Sequence, residues 1–200
     1  MTRVAILDRD GTIIDVVRDE ETGALTVAFH PDQLRLLPGA TAGMRALQDA
    51  GFILSMATNQ PAPAKGQFSA DAVRRTNEAL VSLLEREGLR IAAVEVCMHH
   101  PEGGPGGDPR LAVACTCRKP KSGMLDAIVD RLGADRSASW MLGDSSTDIE
   151  AARSARIRSG LVFAPNRCEL CPLRGGPGAI APDASGSTLA ELAMAILRRT

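Results

Sequence analysis

Residues 4–12 read VAILDRDGT. Four apolar residues in a row, Val4 to Leu7, suit a short buried strand, and the run ends abruptly on Asp8-Arg9-Asp10. Two carboxylates at the edge of a buried strand cost free energy unless a partner meets them there. A tight turn or helix entry accounts for Asp and Gly in such a place. So does a binding site, because open α/β sheets take ligands just beyond the carboxyl ends of their strands.

Working outward, short apolar runs recur at 52–58 (FILSMAT), 91–97 (IAAVEVC), 139–143 (SWMLG) and 160–164 (GLVFA), each about the length of a strand. Amphipathic helical segments lie between them at 39–51, 69–88, 122–134 and 146–155, with a last one at 187–199. Ser69 and Ser122 read as N-caps, and Gly51, Gly88 and Gly133 as helix stops. This alternation predicts an α/β fold in three layers, a parallel sheet with helices on both faces. Residues 12–30 interrupt it: Ile13–Val17 and Leu25–Phe29 flank a Glu-Thr-Gly turn and read as a projecting hairpin. Residues 172–187, rich in Gly, Pro and Ser, read as a flexible connector. Residues 1–200 are enough for one core, so one domain is expected.

The formal net charge is −1, which removes any bulk electrostatic reason for nucleic acid or an anionic membrane as partner. There is no Tyr and only one Trp, Trp140, so base-stacking surfaces are not expected. The apolar runs are far short of a membrane span, and Met1-Thr2-Arg3 leads to DRD rather than to a signal-peptide core, so a cytoplasmic location is expected.

A second acidic cluster follows the fourth strand, where residues 142–148 read LGDSSTD and carry Asp144 and Asp148. Asp8, Asp10 and Asp144 offer the hard oxygen ligands that Mg²⁺ takes alongside a substrate phosphate. A carboxylate held ionised beside a metal is a nucleophile, and a second aspartate just offset can protonate the leaving oxygen, which is the logic of phosphoryl transfer through an aspartyl-phosphate. Thr58, in ATNQ at the end of the second strand, could hold phosphate oxygens with nearby amides, and Lys119 could supply a point charge. Taken singly, Thr58-Asn59 reads first as an ordinary helix cap and Lys119 as a solvated lysine.

Cysteines stand at 97, 115, 117, 168 and 171. Cys97-x-His99, fifteen residues, then Cys115-x-Cys117 supplies three thiolates and an imidazole, a set suited to structural zinc, although reduced, unligated thiols would satisfy the same pattern. Cys168-x-x-Cys171 has ligand-like spacing without a second pair and reads as local packing.

DRDGT, TNQ, RKPKSGM and GDSSTD, in that order, resemble the four motifs of the haloacid dehalogenase phosphatase superfamily. Within it, DRDGT with the Cys-x-His and Cys-x-Cys loop running into CRKP resembles the D-glycero-D-manno-heptose 1,7-bisphosphate 7-phosphatase and histidinol-phosphatase group, over Val4 to about Ala155. The resemblance implies a Rossmann-like fold without a large cap domain. It makes Asp8 the nucleophile and Asp10 the general acid and then base, with Mg²⁺ on Asp8, the Asp10 carbonyl and Asp144. It gives Thr58 and Lys119 the transferring phosphate, Asn59 and Arg118 a reach to substrate, and Asp148 the task of orienting Lys119. It favours zinc on Cys97, His99, Cys115 and Cys117, a clamp over residues 97–117, with His100 outside it.

The chain departs from the group at Pro61 and Lys65, where Ser-Gly and an Arg are expected after TNQ, at Ser145 after Asp144, and in the length of the hairpin. A Mg²⁺-dependent phosphatase acting as a monomer on a small sugar phosphate is the leading expectation, with heptose 1,7-bisphosphate as first choice and histidinol phosphate as alternative. The rival from another class is a non-catalytic, zinc-stabilised module that binds a phosphorylated ligand; a nucleophile paired with an acid argues against it.

Overall fold

The computed structural model describes residues 1–18, 23, 25–163 and 181–199. The chain runs β1 (Arg3–Leu7), β2 (Val17–Arg18), β3 (Leu25–Thr26), α1 (Ala40–Asp49), β4 (Phe52–Asn59), α2 (Ala70–Arg86), β5 (Ile91–Cys97), α3 (Gly123–Leu132), β6 (Trp140–Gly143), α4 (Ser146–Ser154), β7 (Arg158–Val162), β8 (Ala184–Gly186) and α5 (Leu189–Leu197). Six strands form one parallel sheet in the order β5-β4-β1-β6-β7-β8.

The strand period of two sorts the core into two layers. From β1, Ala5 and Leu7 pack with Met44, Leu47, Leu80, Leu84 and Leu192 on the face covered by α1, α2 and α5. Val4 and Ile6 point the other way, against Leu125, Ile128, Ala151 and Ala152 of α3 and α4. Burial on both faces explains why β1 is uniformly apolar rather than alternating. Truncating such a residue, Leu7→Ala for instance, costs roughly 2–5 kcal/mol.

β1 lies between β4 and β6, so the chain leaves it first to one side and later to the other. The crevice beyond its carboxyl end is therefore the switch point at which such sheets bind ligands. Asp8 and Asp10 follow β1, Thr58 and Asn59 end β4, and Asp144 follows β6.

The structure corrects several expectations in detail. Ile13 and Ile14 are fully buried in a turn closed by the Ile13 and Ile14 amides on Arg9 O, so among the described residues the two arms pair at Val17–Arg18 and Leu25–Thr26. Their burial against the core outweighs their β-propensity. Ser122 precedes α3 but makes no side-chain cap, whereas Ser69 accepts from the Ala72 amide. β7, expected at 160–164, begins at Arg158, two residues before the apolar run, because pairing with Trp140 sets its start. Within the expected connector, Ala184–Gly186 is an edge strand; such a short Ala-Ser-Gly segment carries no strand signature, and pairing with β7 decides it. Residues 172–180, with Cys168 and Cys171, lie outside the described residues.

Candidate active site

Lys119 is the hub of the crevice. Its side chain is almost wholly buried, and Nζ lies 2.7 Å from Asp8 Oδ1 and 2.6 Å from Asp148 Oδ1 and donates to Ala57 O at 2.9 Å. Asn59 holds its backbone from both sides: Asn59 Nδ2 donates to Lys119 O at 3.0 Å, and Lys119 N donates to Asn59 Oδ1 at 3.1 Å. Asn59 thus spends its amide on placing Lys119, which differs from the expected reach toward substrate.

Burial alone would lower the Lys119 ammonium, but Asp148 and Asp8 outweigh it and hold its pKa above the ordinary value. Burial lifts Asp8 to about 6, with Lys119 pulling it down and Asp148 and Asp10 pushing it up. Asp144 is lifted to about 8, first by burial and then by the charges of Asp8 and Asp148.

Carboxylate oxygens of Asp8, Asp144 and Asp148 lie within 4.8 Å of one another. Fully ionised, the three carboxylates against one ammonium leave two negative charges, and a divalent cation closes that balance in a site made of hard oxygen donors. Asp148 is the member least free to bind it: Oδ1 serves Lys119, and Oδ2 accepts from Ser145 Oγ at 2.6 Å and Ser145 N at 3.2 Å. Gly11 makes the cluster geometrically feasible. Its φ of 78° suits glycine, and any Cβ there would overlap the Asp144 carboxylate.

The Asp10 carboxylate faces elsewhere. Arg9, fully buried, donates from Nε to Asp10 Oδ2 at 3.1 Å and from Nη2 to Oδ1 at 3.0 Å. Gln60 Nε2 donates to the same Oδ2 at 2.7 Å and to Thr58 Oγ1 at 2.9 Å. Arg9 is anchored further by Asn77 Oδ1 at 2.7 Å, Ala28 O at 2.9 Å and Gln60 Oε1 at 3.1 Å. Sequence reading missed both Arg9 and Gln60, although each sits inside a quoted motif; for Arg9 the available signal was a cation between two acids just past a buried strand, and for Gln60 there was none.

The cysteine segment forms a compact cluster next to these groups. Cys97 Sγ lies 3.7 Å from Cys115 Sγ and 3.2 Å from Cys117 Sγ, and His99 Nδ1 lies 3.6 Å and 3.3 Å from Cys97 and Cys117. A tetrahedron on Zn–S bonds of about 2.3 Å has edges near 3.8 Å, so the donors fit a zinc with slight expansion. His100 stays outside: its Nδ1 accepts from the Glu102 amide. The clamp and the crevice are tied together, since Gln60 N donates to Cys97 O at 2.7 Å and Arg118 N to Cys115 Sγ at 3.4 Å.

The glycine-rich tip of this segment lies against the loop after Gln60, where Asp108 N donates to Pro63 O at 3.0 Å. A Cβ at Gly107 would overlap Ala64 O, so the two backbones meet only because that residue is glycine. The contact brings Lys65 close enough to His100 for its charge, with that of Arg118, to help lower the imidazole pKa, after burial. A cleft of about 280 Å³ runs from Lys119 past Arg118 to His100, and one of about 340 Å³ borders Gly11, Thr12 and Asp144.

The fold and site combine a parallel sheet, an aspartate cluster at its switch point and a buried lysine among the acids. A model described as HAD-hydrolase-like matches residues 116–165. The D-glycero-beta-D-manno-heptose-1,7-bisphosphate 7-phosphatase of Rhodopseudomonas palustris is 37% identical over 153 residues, 76% of this chain and 79% of that protein. The D-glycero-D-manno-heptose-1,7-bisphosphate 7-phosphatase of Thermosynechococcus vestitus is 38% identical over 78% of this chain and 76% of its own. The crystal structure of the D,D-heptose 1,7-bisphosphate phosphatase of B. bronchiseptica, complexed with magnesium and phosphate, superposes with a TM-score of 0.76 at 26% identity, over 100% of both chains. The chain belongs to this heptose-bisphosphate phosphatase family of haloacid dehalogenase-like hydrolases.

Proposed function

We propose that the chain removes the 7-phosphate of D-glycero-D-manno-heptose 1,7-bisphosphate, with Asp8 as nucleophile. The observation that carries the reading is the Asp8–Lys119–Asp148 chain at the sheet's switch point, where a carboxylate is aligned on a buried cation. Asp8 attacks phosphorus, the ester P–O bond breaks, and Asp10 gives its proton to the departing sugar oxygen. A water then loses a proton to Asp10 and attacks the same phosphorus, releasing inorganic phosphate and restoring Asp8.

Lys119 and the Thr58 hydroxyl stabilise the equatorial oxygens of the transferring group. Mg²⁺ held by Asp8, Asp144 and the Asp10 carbonyl would neutralise phosphate charge and keep Asp8 ionised. Zinc on Cys97, His99, Cys115 and Cys117 would hold the segment that ends in Arg118-Lys119. Reduced Cys97, Cys115 and Cys117 suit a cytoplasmic enzyme, and the reading takes it as a monomer.

A second phosphate on the substrate is supported by the cations Arg118 and Lys121, which line the cleft beyond Lys119, and by Lys65 near its His100 end. The family relationship gives its identity. The test is hydrolysis, with Mg²⁺, of heptose 1,7-bisphosphate, histidinol phosphate and other sugar phosphates by the wild-type chain and by Asp8→Asn. The bisphosphate is expected to give the highest kcat/KM and Asp8→Asn no turnover with the fold retained. Preference for histidinol phosphate would overturn the substrate, and an active Asp8→Asn the mechanism.

A further inference from the structure

We propose that Gln60 is a positioning residue that selects the proton-transfer oxygen of Asp10 and aims the hydroxyl of Thr58; the inference rests on the phosphatase reading above. Gln60 is buried, and both ends of its amide are engaged. Arg9 has only donors, so the atom facing its Nη2 must be the carbonyl Oε1. The NH₂ end is thereby directed to Asp10 Oδ2 and Thr58 Oγ1.

Two consequences follow from counting lone pairs. Asp10 Oδ2 receives Arg9 Nε and Gln60 Nε2, while among the described residues Oδ1 receives Arg9 Nη2 alone. Oδ1 therefore keeps a free lone pair and is the atom that carries the proton to the leaving sugar oxygen and later takes one from water. Thr58 Oγ1 accepts from Gln60, and among the described residues its own hydrogen meets no acceptor, which leaves it to donate to a phosphate oxygen. One amide thus sets both the acid and a phosphate contact, and the buried guanidinium of Arg9 sets the amide.

The test uses Gln60→Met, which keeps size and removes the donors, and Gln60→Glu, which keeps shape and can only accept from Thr58. Both are assayed with Mg²⁺ on a sugar phosphate, whose alkoxide must be protonated, and on 4-nitrophenyl phosphate, whose phenolate leaves without a proton. With the sugar phosphate, kcat is expected to fall by about 100-fold, the scale of general acid catalysis. With 4-nitrophenyl phosphate the first turnover, read as a burst of phenolate, stays within a few fold in Gln60→Met. Gln60→Glu in addition weakens inhibition by inorganic phosphate, because its carboxylate takes the Thr58 hydrogen. Equal losses on both esters, or unchanged kcat on both, would overturn the proposal. A wild-type chain inactive on all phosphate esters would instead remove the phosphatase reading, and this inference with it.

Discussion

Lys119 Nζ lies 2.6 Å from Asp148 Oδ1, and both side chains are nearly sealed from solvent, 2% and 1% exposed. Asp148 leaves its other oxygen to Ser145, so its charge is committed to holding the lysine at Asp8. Removing one member of a buried pair strands the other, at a cost of several kcal/mol. Asp148→Asn is expected to destabilise the fold by about 3 kcal/mol, softened by the remaining Asp8 contact. It should also lower kcat, because Lys119 then collapses onto Asp8. Urea unfolding and steady-state kinetics check both; an unchanged kcat would mean that Asp148 serves stability alone.

The pKa of Asp144, raised to about 8, makes the metal-free protein sensitive to pH. The folded state binds a proton that the unfolded state has released, so this stabilisation is fully present below the ordinary carboxylate range and is lost as pH rises through about 8. A dication has to displace that proton. Magnesium binding is expected to tighten by nearly tenfold per pH unit between pH 6 and 8, with release of about one proton. Calorimetry in buffers of different ionisation enthalpy measures it, and Mg²⁺ should raise Tm more at pH 8 than at pH 6.

The cysteine clamp predicts one zinc per chain from Cys97, His99, Cys115 and Cys117. Cys115→Ser should lose the metal, lower Tm and depress kcat, since Cys97 O holds Gln60 N and the segment after Cys117 carries Lys119. Elemental analysis beside activity decides it. Metal loss at full kcat would separate the clamp from the chemistry.

Lys65 predicts specificity. Lys65→Ala should raise KM for a bisphosphate about tenfold, the worth of one charge-assisted contact, and leave 4-nitrophenyl phosphate unaffected. Comparison of KM on the two substrates reads it directly, and a parallel rise would place Lys65 in the general architecture instead.

The alternation of short apolar runs with amphipathic segments was enough to read the parallel sheet, because burial on both faces leaves continuous apolar strands. The acids were legible as well, since Asp8, Asp10 and Asp144 are charges placed where a strand leaves the core, with Asp148 in the first turn of the helix that follows β6. The edge strand Ala184–Gly186 was not, because three small residues become a strand only by pairing with β7. Nor were the roles of Asn59 and Gln60, neutral amides whose meaning lies wholly in what they face.

By itself the sequence determined the class of fold, the order of the acidic clusters and the complement of metal donors, all properties of residue type and spacing along one chain. Only the tertiary structure decided that Asn59 grips the Lys119 backbone, that Gln60 joins Asp10 to Thr58, and that Gly107 lets Lys65 approach His100. The physical reason is that hydrogen-bond direction and charge proximity depend on distances across the fold, and separation along the chain does not encode them.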